Sequence, residues 1–384
     1  MAKAAPWEPP PDPDFEKLAY EGYRMWEEDR PGAISFDTET TGLTYYDTAF
    51  CVTAAWSRPS GEIVGHYFEL EKFRAHRMVW DILNKTPILA GHNLKFDLQK
   101  ARLAGLLTRS LEPVSLEDSQ ILAHLLDEYR PKGLKELMVS VLGWSDTIEV
   151  EVKSGKNAGT FKTVVREKHE IQTARTKLKL KKEDGYHLIP RGIVVPYAIT
   201  DAVGTHGLVK ELRPHVQRHE DMWELYRQEM ELTCVLLEME DAGLGVIPPY
   251  VDDRVKEYAK KVLRHDTRIQ ELTGRKIGKK PVSGVCSQCG EKKDECKCFN
   301  PDSPAQIKEL FSSLGYDRPS YDEKNLKQID HPLASLILER RGDAKLLSTY
   351  FLAIKREQRD EILHPSFNQN VSTGRMSSGS AKED

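Results

Sequence analysis

The sequence predicts an α/β domain followed by a mostly helical one. Three observations carry that reading. The chain has 384 residues, more than one hydrophobic core ordinarily serves. Its first part alternates short apolar runs of β type with segments of helical spacing. Beyond about residue 213 the β-type runs give way to long stretches of helical period. Hydrophobic residues at 39% and charged ones at 30% describe a folding chain, not a disordered one. A net charge of -4 neither indicates nor excludes nucleic acid, because a binding groove needs local positive charge rather than a basic total. No apolar run is long enough to span a bilayer, so no membrane partner is expected. The opening MAKAAPWEPPPDPDFEK is Pro-rich and acidic and lacks the apolar stretch of a signal peptide. It reads as a flexible lead-in over residues 1–30 of a cytoplasmic protein.

The first domain is expected over residues 31–213. Ile34-Ser35-Phe36-Asp37, Cys51 to Trp56 and Ile63 to Phe68 read as successive strands, with Gly42 and Ser60-Gly61 in the connections. Met78 to Asn84 reads as a helix, Ile88 to His92 as a buried strand, and Lys95 to Ala104, Asp118 to Leu126 and Leu134 to Val141 as helices. Residues 147–188 form a polar, Lys-rich insertion, in which the Lys/Leu alternation of Arg175 to Lys182 fits a β-hairpin arm facing solvent or DNA. Pro196 is placed to open a helix. Glu220 to Asp241, ending at Gly243, and Tyr250 to Leu272 are long helices, and more follow from Ser303, including one through Pro332 to Arg359.

The chemistry begins where the first strand ends. Residues i and i+2 of a strand share a face, so Asp37 and Glu39 in FDTETTGL point the same way, ~7 Å apart along the chain. Asp97 follows the buried strand near the start of a helix, where it could serve only as an N-terminal charge partner. Tyr197 and Asp201 stand at i and i+4 on one helical face. Four carboxylates brought to one point would repel one another unless cations sat among them, and oxygen ligands suit Mg²⁺ or Mn²⁺.

FDTETTGL, HNLKFD and YAITD, in that order, resemble the three motifs of the DEDD 3′–5′ exonucleases, in the branch that carries Tyr rather than His before the last Asp. The resemblance implies a ribonuclease H-like fold, two Mg²⁺ or Mn²⁺ ions held by Asp37, Glu39, Asp97 and Asp201, and a water oriented by Tyr197 with Glu39. EMELTCVLLEMEDAGLGV, SPAQIKELFSSLG, LILERRGDAKLLSTY and HPSFNQNVSTGRMSS resemble the region beyond the exonuclease in family A DNA polymerases. The fold class expected is therefore an α/β ribonuclease H-like exonuclease domain, a mostly helical thumb over 214–360, and the first edge of a palm over 361–384. Insertions suggest a phage protein. The implied partners are single-stranded and primer–template DNA, contacted by Asn93, by Arg341, Lys345, Ser348 and Thr349 on a helical surface beside Arg340, and by Thr373 and Arg375. The palm aspartates of that family lie beyond this sequence, so the expected activity is exonucleolytic without polymerisation, with a second chain carrying palm and fingers as a further partner.

Cys51 and Cys234 stand alone in apolar segments and read as buried thiols. Cys286, Cys289, Cys296 and Cys298 crowd into an insertion at 279–300, flanked by Lys279, Lys280, Lys292, Lys293 and Lys297. Four thiolates at such spacing suit one structural Zn²⁺, with reduced or redox-active thiols as the alternative. By resemblance the insertion falls near the tip of the thumb, where duplex DNA or a processivity partner would dock. Two other readings of the whole chain stay open at this point: a DEDD exoribonuclease, and a DNA-binding assembly subunit of a split polymerase with an idle nuclease site.

Overall fold

The computed structural model describes residues 8–151, 159–181, 184–278, 285–286, 288–292, 295–371 and 373–379. The chain divides into two units, Met1–Ala242 with Pro365–Asp384, and Gly243–His364.

The first unit is built on a five-stranded sheet in the order β3-β2-β1-β4-β5. After α1 (Phe15–Asp29), an antiparallel meander runs through β1 (Ala33–Thr40), β2 (Ala49–Ser57) and β3 (Ile63–Glu69). Helix α2 (Phe73–Lys85) then carries the chain to β4 (Ile88–Gly91), which pairs parallel to β1. Helix α3 (Leu94–Leu103) leads on to β5 (Leu116–Asp118), parallel to β4. Helices α4 (Ser119–Leu126) and α5 (Leu134–Leu142), a hairpin of β6 (Thr147–Glu151) and β7 (Phe161–Val165), and α6 (Arg166–Leu178) follow. Two long helices, α7 (Arg191–Gln217) and α8 (Glu220–Ala242), complete this part of the chain.

The two faces of β1 set the layers. Ile34 and Phe36 point into a core shared with Leu94 and Leu98 of α3 and Val79 and Leu83 of α2. Ser35 lies on the other face, where its hydroxyl meets His206 Nδ1 of α7 at 3.2 Å. Alternation therefore puts Asp37 and Glu39 on the α7 side. A bulge between Glu39 and Thr40 ends the regular pairing with β2 beside these acids.

Three expectations are corrected. The lead-in is not loose throughout: α1 is capped by Asp14, which accepts from the Lys17 backbone N–H, and it buries Ala19, Gly22 and Trp26. Trp26 Nε1 donates to Thr86 Oγ1 at 3.0 Å, and a Cβ on Gly22 would strike the His66 side chain, so the helix needs that glycine to pack closely. Arg175 to Lys181 is the end of α6 and its cap, not a strand. Lys and Leu are both good helix formers, a basic last turn suits the helix dipole, and Lys179 closes the helix in the left-handed conformation. A hairpin does exist in the insertion, but it is β6–β7; Lys182 lies outside the described residues. Pro196 sits inside α7, since Pro190 already caps that helix.

Helix α8 also belongs to the first unit. Tyr226, Met230 and Leu237 enter its core, and Tyr226 Oη donates to Glu117 while accepting from the Asp118 backbone N–H. Near the end of α8, Glu240 is buried against Lys95, Gln99 Nε2 (3.3 Å) and the Phe367 backbone N–H (2.6 Å). Removing one partner leaves a buried charge without its counterpart, so Glu240→Ala should cost about 3–5 kcal/mol in urea unfolding. The unit ends in a hairpin of Ser366–Asn368 with Ser377–Gly379.

In the second unit, α9 (Pro248–Thr273) packs on α12 (Pro332–Lys345), with α10 (Pro304–Ser313) and α11 (Glu323–Leu326) completing a core of Ile269, Phe299, Phe311, Leu326 and Ile337. The long helix expected through Pro332 to Arg359 runs from α12 through a π-helical segment at Leu346–Phe351 into α13 (Leu352–Glu357). No helix among the described residues is long and apolar enough to cross a membrane.

Candidate active site

Strand β1 delivers two carboxylates and α7 a third. Ligand oxygens of Asp37, Glu39 and Asp201 all lie within 4.8 Å of one another. The match has a simple origin: two residues of strand advance the chain ~7 Å, and five of helix ~7.5 Å. The pair Ser35–His206 thus sets the register in which Asp37 meets Asp201. A second tie, Thr53 Oγ1 donating to the Ala198 carbonyl at 3.1 Å, fixes α7 against β2.

Asp97 comes from the opposite layer. It stands in the first turn of α3, and its Oδ1 accepts from both the backbone N–H (2.9 Å) and the hydroxyl (2.7 Å) of Thr38. It lies beside the three-carboxylate group, close enough to raise the Asp37 carboxyl. Asp118 braces this arrangement: it caps α4 through the Gln120 N–H and accepts from the Asn93 and Leu94 N–H groups at the start of α3. Asn93, exposed and left-handed at φ 62°, makes that turn.

Tyr197 lies one turn before Asp201, half-buried, edge-on to Tyr186. Burial and the Asp201 charge push its phenol well up, so it stays neutral at physiological pH. Lys135 of α5 pairs with Asp201, and its ammonium sits 4.5 Å from the centroid of the Tyr197 ring.

The electrostatics are those of a cluster short of positive charge. Burial, then Asp97 and Glu39, hold the Asp37 carboxyl well above its ordinary range. Burial pushes Asp97 up to about 7, against the pull of the Thr38 donors. In the unfolded chain an Asp releases its proton near ~3.9. Between about pH 4 and 7 the folded form therefore holds a proton that the unfolded form has lost, and stability without divalent ions falls as pH rises through that window. Asp97→Asn should accordingly be more stable than wild type at pH 8 in EDTA, with the gap closing as pH falls toward ~4. The comparison by urea unfolding cancels His66, His124 and His206, whose lowered pKa values act in the opposite sense.

Three carboxylates this close, Glu39 and Asp201 buried and Asp37 half-buried, with Asp97 alongside, fit a hard divalent cation: all donors are oxygen, and a cation removes the repulsion that raises Asp37. The 3′–5′ exonuclease family model of family A DNA polymerases matches residues 24–217, just over half the sequence. The chain belongs to that family. Relatives include the DNA polymerase of Escherichia phage T5, 27% identical over 98% of this chain and 43% of the relative. The DNA polymerase DpoZ of Acinetobacter phage SH-Ab 15497 is 26% identical over 90% of this chain and 53% of that one. DNA polymerase I of Synechocystis is 29% identical over 52% of this chain and 20% of its own length. The chain thus spans about half the length of the phage polymerases it matches. A solved structure, the POL domain of Pol1 from M. smegmatis in complex with DNA primer-template and dNTP, has the same fold at a TM-score of 0.62 and 18% identity. It covers 96% of this chain and 54% of that one.

The remaining sequence candidates fall into two groups. Sγ atoms of Cys286, Cys289, Cys296 and Cys298 lie within 4.8 Å of one another; Lys279, Lys280 and Lys293 beside them lie outside the described residues. Cys51 is a buried free thiol and Cys234 a half-buried one. Among the residues expected at DNA, Lys345, Ser348, Thr349, Thr373 and Arg375 are exposed. Arg341 is half-buried and donates to the carbonyls of Tyr321 (3.1 Å) and Pro301 (3.3 Å), and Arg340 is buried against Asp266 and Asp302. Much of the donor capacity of both arginines thus goes to ordering the second unit. Sequence reasoning missed Thr38, Asp118 and Lys135. Lys135 did leave a signal: it stands at i against Met138 at i+3, a charge on an apolar helical stripe.

Proposed function

We propose that this chain hydrolyses the 3′-terminal phosphodiester of single-stranded DNA, the proofreading reaction of a family A DNA polymerase. The observation that carries the proposal is the meeting of Asp37, Glu39 and Asp201, with Asp97 beside them, inside a domain of the 3′–5′ exonuclease family. Two Mg²⁺ or Mn²⁺ ions, when bound, would supply Lewis-acid activation of water and charge neutralisation at the leaving oxygen. The four carboxylates would hold them. Tyr197, kept neutral by its surroundings, presents a hydroxyl that orients the attacking water together with Glu39. Because β1 and α7 are tied by Ser35–His206 and Thr53–Ala198, these groups need little rearrangement before the reaction. The second unit is read as the thumb, with Lys345, Ser348 and Thr349 on and beside its π-helical turn set against phosphates, and the hairpin carrying Thr373 and Arg375 as the palm edge. The test is a pair of 5′-labelled strands, DNA and RNA of one sequence, incubated with Mg²⁺. A ladder shortening from the 3′ end of DNA supports the proposal; preference for RNA would replace it with an exoribonuclease.

We further propose that the four cysteines bind one structural Zn²⁺. Tetrahedral bonds of ~2.3 Å imply sulfur–sulfur edges of ~3.8 Å. Cys286 and Cys298 are 3.7 Å apart, and Cys289 and Cys296 are 3.6 Å apart. The first half is a tight turn in which Gly290, at φ +80°, closes onto the Cys286 carbonyl. Backbone N–H groups of Gln288 and Cys289 lower the Cys286 thiol to about 6, whereas burial and the neighbouring thiols raise Cys298, a conflict that a cation among them would relieve.

A further inference from the structure

Lys135 is 5% exposed and lies among the buried acids of the candidate active site. A lysine reaches such a place only if its helix approaches closely, and α7 is shaped for that. A Cβ on Gly204 would come within 2.4 Å of Met138 Sδ, and one on Gly207 within 3.0 Å of Leu142 Cδ1. Both glycines let α5 settle against α7, and the first turn of α5 then lies over Tyr197 and Asp201. The Lys135 ammonium pairs with Asp201, rests on the Tyr197 ring at 4.5 Å, and acts favourably on Asp37 as well. Other buried lysines nearby are committed elsewhere: Lys95 to Glu240, and Lys100 to the carbonyls of Thr44, Tyr45 and Asp47.

We propose that Lys135 is a positioning residue, a resident counter-cation that holds Asp201 and Tyr197 in place while no divalent ion is bound and competes with that ion for Asp201. The inference rests on the divalent-ion site proposed above. Its physical content is a trade. A fixed positive charge beside carboxylates steadies them when they are alone, and it opposes a second cation that needs the same oxygens. Lys135 would therefore weaken ion binding while raising stability without ions.

The test uses the full chain with Mn²⁺ alone, following free Mn²⁺ by electron paramagnetic resonance, and records the melting temperature in EDTA. Lys135→Met, which keeps the stem and removes the charge, is expected to bind Mn²⁺ about tenfold more tightly and to melt lower without ions. Lys135→Arg, which keeps the charge, should stay within about threefold of wild type. Loss of packing alone would weaken binding, so tighter binding separates the proposal from a structural role. Should the methionine variant fail to fold, Lys135→Gln removes the same charge and retains a donor. Equal or weaker Mn²⁺ binding by the neutral variants, with wild type binding normally, overturns the inference and leaves the exonuclease reading intact. Absence of Mn²⁺ binding by wild type overturns both.

Discussion

Replacing Asp37 and Glu39 together by Ala is expected to slow removal of 3′ nucleotides by about 10³-fold or more, while raising the melting temperature in EDTA. The rate loss follows from removing two of the carboxylates proposed to hold the catalytic ions. Metal assistance is worth several kcal/mol of transition-state charge stabilisation, and each ~1.4 kcal/mol is tenfold in rate. The stability gain follows from the same geometry. Asp37 is raised by burial and by three neighbouring carboxylates, so the wild-type fold holds charges in mutual opposition. Alanine leaves Ile34, Phe36 and Thr38 to the core and ends the conflict. A variant that lost activity and stability together would show instead that the acids serve the fold. Rate comes from single-turnover digestion of labelled single-stranded DNA, and stability from thermal melting of both proteins.

Removing zinc should have the second large effect, confined to the second unit. A structural zinc supplies ~10–16 kcal/mol to a peptide that has no other core. Here the Gly243–His364 unit has a core of its own, and the cysteine loop is rooted in it. Phe299, next to Cys298, is fully buried, and its backbone pairs with Lys276 and Gly278 on either side of Ile277. The expected loss on chelation, or in Cys286→Ser/Cys289→Ser, is therefore smaller, about 3–5 kcal/mol. Calorimetry should show a lowered transition for this unit and an unchanged one for the first. Metal analysis should give one zinc per chain in protein purified without chelator. Chain free of zinc, with thiols that react freely, would refute the assignment.

How far the sequence could be read depended on how local each signal was. The strand Ala33–Thr40 announced itself as a short apolar run, and the i, i+2 rule placed Asp37 and Glu39 on one face. Tyr197 and Asp201 were equally legible, since four residues of helix bring side chains onto one face. Asp97 was harder. Its position in the first turn of α3 could be inferred, but its capture by Thr38 of β1 depends on packing that no local pattern encodes. Lys135 depends on the approach of α5 to α7 at Gly204, a contact between residues about seventy apart in sequence. The errors share a cause. Alternating Lys and Leu has period two over a few residues, yet the start of α6 at Arg166 had already set the backbone to helix, and cooperativity carried it to Leu178. A Pro- and acid-rich opening hid α1 because composition was averaged across it, although Trp26, Tyr23 and Ala19 carry a helical stripe. For Arg341 and its neighbour Arg340 the partners were not legible, because a charged helical face has no sign in sequence of the acids and carbonyls that claim it.

The most direct test of the account is release of the terminal nucleotide from 3′-labelled single-stranded DNA by the purified chain, with Mg²⁺ in one tube and excess EDTA in another, beside Asp201→Asn. The account predicts labelled mononucleotide in the first tube alone and none from the variant. Nucleotide release that persisted in EDTA, or that Asp201→Asn retained, would contradict it.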